Sequence, residues 1–373
     1  MASPSSSSPS SIGSIRSICI LRLSAIGDVC NCVAAVQAIQ QKHPQAQIVW
    51  IVGKIEKVLL DGLPGVELIV FDKSLGWKAY LKLRQDLKSR TFDVLLHMQV
   101  AFRANLAALF IRAKRKIGFD WERAKELHAL FMRERIPPQN EPHVLDGFFA
   151  FAEKLGVAPD ALEKVSWRIP VSPQDQAFAD QQIPPGSQTL VISPAASKAE
   201  RNWLPERYAV VADYAAEKGF KIVLCGGPGK MDRELGDQIK SLSRTEIQDL
   251  IGKTSLKQML ALLGNATIVL APDTGPAHMA NSQGTPVIGL YAHSNPKRTG
   301  PYRFQHFVVE AYHQKLLKQY GKNAQQLPWG ARVKGAEAMA DISVEAVVAM
   351  FERVLSESGR KPISKSVDQT DKA

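Results

Sequence analysis

The sequence predicts an α/β protein built from two doubly wound, Rossmann-like domains that face a central cleft. Three observations carry this. Short continuous apolar runs alternate with helical patterns along nearly the whole chain, as buried parallel strands and their crossover helices do. The alternation stops at a polar, proline-containing stretch, "RIPVSPQDQAFADQQIPPGSQ" (168–188), and then restarts. The 373 residues accommodate two cores of ordinary size.

In the first half, "SICILRL" (17–23) reads as the first strand; the loop "SAIGD" and a helix reaching about Lys42 follow. Further strands are expected at "QIVWIV" (47–52), "VELIVF" (66–71) and "FDVLLHM" (92–98), with helices between them and another at 144–156. The stretch 168–188 reads as the domain linker. The second half opens with "TLVISP" (189–194), a helix over 205–218, "KIVLCG" (221–226), a helix over 230–241 and a short strand near 247–251. A helix over 255–264, "TIVLAPD" (267–273), a helix over 276–283 and "PVIGLYA" (286–292) come next. A final helix from Ser343 to Leu355, capped by Ser343, is a candidate to pack back on the first domain. The domains so defined are 16–170 and 171–356, with disordered tails at 1–15 and 357–373. The first tail is Ser/Pro-rich and lacks the basic and apolar regions of a signal peptide.

Composition removes several classes of function. The apolar fraction of 45% is that of a globular protein, and no apolar run reaches the roughly 18 residues of a membrane span. Cys19, Cys30, Cys32 and Cys225 are too scattered for a disulfide framework or a thiolate zinc site, which suits a reducing cytoplasm. No histidine spacing matches a metal motif, so no metal is expected. "LSAIGD" carries one glycine where a dinucleotide fingerprint needs three, and "GKT" (252–254) lacks the first glycine of a phosphate loop. A nicotinamide-dependent oxidoreductase is therefore the distant alternative. The net charge of +11 points to an anionic partner, but no nucleic-acid recognition motif is present.

The residues suited to chemistry cluster where strands end. Asp28, with Ser24 and Gly27 in "LRLSAIGDVCN", lies at the exit of the first strand and reads as a general base. A helix-start aspartate favoured by the macrodipole is the plainer explanation. Ser197, Lys198 and Arg201 in "ISPAASKAERNW" follow the first strand of the second domain and suit a phosphate, although a solvated basic loop has the same composition. Gly226 in "CGGPG" and Gly252 in "DLIGKTS" allow close approach of a nucleotide. "APDTGPAHMA" places Asp273, Thr274, Gly275, Pro276, Ala277 and His278 at a strand-to-helix turn, with Thr274 as N-cap and free amides suited to a diphosphate.

Four blocks in this order, "LRLSAIGDV", "SKAERNW", "CGGPG…DLIGKTSL" and "DTGPAHMA…GTPVIGLYAHSNPKRTGPY", resemble glycosyltransferase family 9, the ADP-heptose:lipopolysaccharide heptosyltransferases. "IGFDWERAKELHALFMRERI" (117–136) and "HVLDGFFAFAEKLG" (143–156) look most like the branch that adds the first heptose to Kdo. The resemblance implies a GT-B fold, with an acceptor-binding first domain and a nucleotide-sugar-binding second one. It implies inverting, metal-independent transfer from ADP-heptose, with no cofactor, to the Kdo region of a lipid A precursor. Asp28 matches the family's base, and Arg201 matches a lysine that contacts the donor phosphates. Ser197 and the Asp273–His278 turn match donor contacts, while Gln99 and Lys125 match polar positions on the acceptor side. The basic residues between 103 and 135, with Lys73 and Lys78, suit lipid A phosphates or an anionic membrane surface, giving a cytoplasmic enzyme peripheral to the inner membrane. A family member using another nucleotide sugar or a later core acceptor is the near alternative. The sequence departs from the family pattern at Asn31, at "HMQV" (97–100) and at Lys230 in "GKMD", where Asp232 or Glu234 could take over a ribose contact.

Overall fold

The structure is a computed structural model that describes residues 14–124 and 132–357. The expected tails fall almost wholly outside these residues, and so does Lys125.

Strand β1 (Ser17–Leu21) is buried from Ile18 onward, because helices cover both faces of its sheet. It leads into α1 (Ile26–Lys42), β2 (Gln47–Gly53), α2 (Lys54–Leu60), β3 (Val66–Phe71), α3 (Trp77–Asp86), β4 (Phe92–His97) and α4 (Phe102–Leu109). Two further strands, β5 (Ala113–Gly118) and the short β6 (Glu134–Arg135), complete a parallel sheet in the order β3-β2-β1-β4-β5-β6. Neither was expected. The residues of β5, AKRKIG, are largely cationic, and only Ile117 and Gly118 are buried, so the strand has no apolar run. Helix α5 (Val144–Glu153) packs beside α1 on one face. On the other face α3 and α4 bury Leu83, Ala104 and Ala108 in one cluster with Cys19 and Leu21.

After α6 (Ala161–Lys164) comes α7 (Pro173–Gln182), which occupies the middle of the expected linker. Ser172 caps it by accepting from the Asp175 amide at 3.1 Å, and Pro173 supplies a preformed first turn. A polar sequence is here an ordered, capped helix.

The second sheet follows as β7 (Thr189–Ile192), α8 (Pro205–Glu217), β8 (Lys221–Leu224), α9 (Lys230–Leu242), β9 (Ile247–Asp249), α10 (Leu256–Asn265), β10 (Ile268–Pro272) and α11 (Gly275–Gln283). Then come β11 (Val287–Tyr291), α12 (Pro296–Thr299), β12 (Val308–Glu310), α13 (Tyr312–Tyr320) and α14 (Val344–Glu357). Its parallel order, β12-β11-β10-β7-β8-β9, repeats the winding of the first sheet. Helix α14 stays on this half: Phe351 packs on Phe220 with ring centroids 5.0 Å apart, and Tyr214 donates to Glu352 at 2.6 Å. Its buried residues belong to the apolar cluster of the second half, so among the described residues it is not seen packed back on the first domain.

Each sheet reverses its strand order once, at β1/β4 and at β7/β10. In open α/β sheets, ligands bind beyond the carboxyl ends of the strands at such points. The two halves are joined by an apolar cluster that runs from β1, β2 and α1 into α10 and α11. Polar contacts add to it. Trp329 Nε1 donates to the Pro142 carbonyl at 2.8 Å, and the Tyr302 hydroxyl donates to Asp146 at 2.7 Å. Among the described residues no helix is long and apolar enough to cross a membrane.

Candidate active site

Asp28 is the third residue of α1, where the helix macrodipole favours a carboxylate. Its Oδ2 accepts from the Ala25 amide at 3.3 Å and pairs with the Arg22 guanidinium. Arg22 is itself fixed: it donates to the Met98 carbonyl at 2.7 Å and lies 5.0 Å from the centre of the Phe148 ring. The Asp28 side chain remains one-third exposed, at 33%, so part of the carboxylate is open to the cleft. Gln99, at the exit of β4, ties the loop in place. Its Oε1 accepts from the Leu23 amide at 2.6 Å and its Nε2 donates to Ser24 Oγ at 3.3 Å. The switch point of the first sheet therefore positions Asp28 through Arg22 and Gln99 together.

The second switch point carries Asp273 at the end of β10. Burial alone would raise its carboxyl, but His278, a hydrogen bond from Ser294 Oγ at 2.5 Å and the nearby Arg201 outweigh it and hold the group below its usual range. The Arg201 guanidinium is 3.8 Å from Asp273, and His278 Nε2 is 3.8 Å from the other carboxylate oxygen. Thr274 stands at the N-cap of α11 as expected, yet among the described residues its side chain makes no capping bond and its buried Oγ1 has no partner. The buried Nδ1 of His278 has none either. Unpaired buried polar atoms are costly, and both stand beside the open amides at the start of α11.

These two sites meet. Glycine is required at position 27 because a Cβ there would strike the His278 imidazole. Gly275 is similarly close, its Cβ position being 3.0 Å from Ile26 Cγ2. The N-termini of α1 and α11 thus abut, which brings Asp28 and the Asp273–His278 turn to one seam between the halves. Arg298, on α12, lies in the field of both Asp28 and Asp273; burial pulls its guanidinium below its ordinary value and the two carboxylates oppose this. Among the described residues no group of three His, Cys, Asp or Glu is arranged to hold a metal ion.

The remaining expected residues divide. Gly226 and Gly252 are joined by a hydrogen bond from the Gly252 amide to the Gly226 carbonyl at 3.1 Å, and Gly252 needs its positive φ of 71°. Asp232, considered for ribose contact, folds under this turn and accepts from the Gly227 amide at 2.9 Å. Pro276 and the buried Ala277 form the first turn of α11. Ser197 and Lys198 lie on an exposed loop, with the Lys198 ammonium 3.9 Å from Glu200 rather than in the cleft. The loop leads into a 3₁₀ turn (Ala199–Arg201), not an α-helix start. Several of the basic residues of 103–135 are paired: Arg115 with Glu134, Lys114 with Asp93 and Arg123 with Asp120.

Arg22, Ser294 and Arg298 were missed. Arg22 lies inside the quoted "LRLSAIGDV" block, and the other two follow β11, so the strand-exit rule applied to every strand would have found them. His143 was missed too. Its Nδ1 accepts from the Leu145 amide at 3.0 Å, which leaves Nε2 to donate to the Gly300 carbonyl at 2.9 Å across the two halves.

Residues 80–329 match the family model Glycosyltransferase family 9 (heptosyltransferase). The chain is 47% identical to the lipopolysaccharide core heptosyltransferase OpsX of Haemophilus influenzae, over 91% of this chain and 97% of that one. The fold is similar to that of a family 9 glycosyltransferase from Veillonella parvula (TM-score 0.77, 22% identity, 92% of this chain and 98% of that one). It is also similar to Escherichia coli heptosyltransferase WaaC with ADP (TM-score 0.70, 19% identity, 91% and 99%). Two parallel sheets wound alike, with their switch points facing, are the GT-B architecture. With a family model matching residues 80–329 and a relative 47% identical over 91% of the chain, the chain belongs to glycosyltransferase family 9, the heptosyltransferases, and is a transferase.

Proposed function

We propose that this enzyme transfers a heptose from ADP-heptose to the Kdo region of inner-core lipopolysaccharide, with inversion and without a metal ion. One observation carries the reading: a carboxylate at the start of one helix shares a seam with a cation-flanked helix start from the other half, where the two sheet switch points come together. The first is suited to accept a proton, the second to receive a departing diphosphate.

The acceptor hydroxyl oxygen attacks the anomeric carbon while the bond from that carbon to the ADP phosphate breaks. The hydroxyl proton passes to Asp28. The bonding pair leaves with ADP, so negative charge develops at the diphosphate and positive character on the sugar ring. The α11 amides, Arg201 and Arg298 would meet the first; Asp273 would lie beside the second and orient His278. Preorganised donors of this kind contribute roughly 3 kcal/mol each. Arg22 and Gln99 position Asp28, so Gln99, expected on the acceptor side, also serves the base. The name of the Haemophilus influenzae relative supports a lipopolysaccharide core acceptor. A later core sugar is the second reading. We place the enzyme at the cytoplasmic face of the inner membrane, where a lipid-linked acceptor would meet a soluble nucleotide sugar.

The test is transfer from ADP-heptose to deacylated Kdo₂-lipid A with EDTA present, and the anomeric configuration of the product by NMR. Inverted product formed at an undiminished rate in EDTA is expected. Retained configuration, or loss of activity restored by a divalent ion, would overturn the mechanism; no transfer unless heptose is already present on the acceptor would move the acceptor outward.

A further inference from the structure

We infer that the α3–α4 face of the N-terminal half is a docking surface for an anionic lipid bilayer. This rests on the reading that the acceptor is lipid-linked, and it names the surface that would bring such an acceptor to Asp28.

Both helices begin at the carboxyl edge of the first sheet, the edge that carries Asp28. Helix α3 follows β3 after a 3₁₀ turn, and α4 follows β4. Their inner faces are buried on the sheet, as Ala79, Leu83, Ala104 and Ala108 show. Their outer faces also carry apolar side chains that solvent reaches. Trp77 is 58% exposed, Leu81 48%, Phe102 62% and Leu109 52%. Single exposed apolar residues are ordinary, but these are grouped. Trp77 and Leu81 are one turn apart on α3, and Phe102 and Leu109 are two turns apart on α4. Phe110, at the end of α4, joins the helices, with its ring 6.2 Å from Trp77 and 6.0 Å from Tyr80. Tyr80 also reaches the Arg103 carbonyl at 3.5 Å.

The charge around this patch decides the occupant. Lys73, Lys78, Lys82 and Arg84 on or beside α3 are exposed, as are Arg103 on α4 and Arg112 after it, and Lys82 pairs with Asp86 at 2.7 Å. The segment from Phe102 to Lys116 contains no acid, and that from Lys73 to Lys88 contains only Asp86. A Trp/Phe/Leu surface bordered by lysines and arginines is the pattern of an interfacial helix pair. The rings enter the headgroup layer and the long cations reach the phosphates. An acidic protein partner would use the cations but not the aromatic tips.

The experiment is co-sedimentation of the full chain with two kinds of vesicle, phosphatidylcholine alone and phosphatidylcholine with about 40% phosphatidylglycerol. Binding to the anionic vesicles, at least about tenfold above the neutral ones and falling with salt, is expected. Phe102→Ser with Leu109→Gln should weaken it about tenfold, and Lys78→Glu with Arg103→Glu at least as much. The Phe102→Ser/Leu109→Gln variant should keep turnover on deacylated acceptor and lose turnover on vesicle-embedded acceptor, and both variants should keep the wild-type circular-dichroism spectrum. Equal binding to both vesicles, or variants that bind like wild type, would overturn the docking face. Normal transfer to deacylated acceptor with no vesicle binding would overturn this face alone. Failure of that transfer in the wild type would overturn the acceptor reading instead.

Discussion

At Asp28 the helix dipole, the Ala25 amide and Arg22 all favour a carboxylate in one orientation, and Gln99 fixes the loop that carries it. Across the cleft Arg201 stands only loosely against Asp273, at 3.8 Å, which leaves its guanidinium available to a phosphate. Arg201→Ala should lower kcat/KM about 10²–10³-fold, the cost of removing one preorganised donor, and Arg201→Lys should restore part of it. Steady-state kinetics with varied ADP-heptose check this. Gly27→Ala should do damage without removing any functional group. Its Cβ would collide with His278, so a shift of α1 against α11 is forced, costing about 1–3 kcal/mol of stability and most of the activity. Thermal unfolding and turnover of that variant are the measurements. At this scale the places of Asp28, Gly27, Asp273 and His278 at strand exits were legible, because each follows directly on an apolar run. Arg22 was not, since an arginine inside an apolar strand pattern reads as an edge residue. Only the fold shows it turned under Asp28. Lys198, expected from charge and position, projects from an exposed loop beside Glu200.

Elements that bury apolar surface on both sides were legible from their runs, and β1, β2, β4, β7, β10 and β11 are all of this kind. Strand β5 was not, because a strand near the sheet edge can send lysine and arginine to solvent and needs no apolar run. Helix α7 was hidden by its polarity. Its cap, Ser172 with Pro173 and Asp175, was the available signal, outweighed by the surrounding prolines. Helix α5 carries a device that joins the halves: His143 caps its start and donates to Gly300 of the other half. Burial, opposed only in part by the Gly300 bond, lowers the His143 pKa to about 4. The unfolded chain would protonate it near 6.5, so between pH 6.5 and 4 the unfolded state binds more protons. Stability from this group is therefore full above about pH 6.5 and declines as pH falls toward 4, by roughly 3 kcal/mol in all. Urea unfolding across that range should show the decline, and His143→Gln, which keeps a donor without the titration, should flatten it.

The whole molecule is two sheets of the same winding placed so that their switch points face. That symmetry was readable from the repeated alternation of strand and helix patterns, although the sequence could not show which helices form the seam. The seam is α1 against α11, and small residues at Gly27 and Gly275 let the helix starts touch. The proposed function rests on this placement more than on any single residue, with one half offering the base and the other the anion site. The most direct test of that claim is ADP release from ADP-heptose with deacylated Kdo₂-lipid A, measured for wild type and Asp28→Asn, with ADP affinity determined on the same preparations. The account predicts acceptor-dependent release by the wild type, about 10²–10⁴-fold slower in Asp28→Asn, with ADP binding unchanged. Release by Asp28→Asn at the wild-type rate would contradict it, as would loss of ADP binding in that variant, which would place Asp28 in the donor site instead of opposite it.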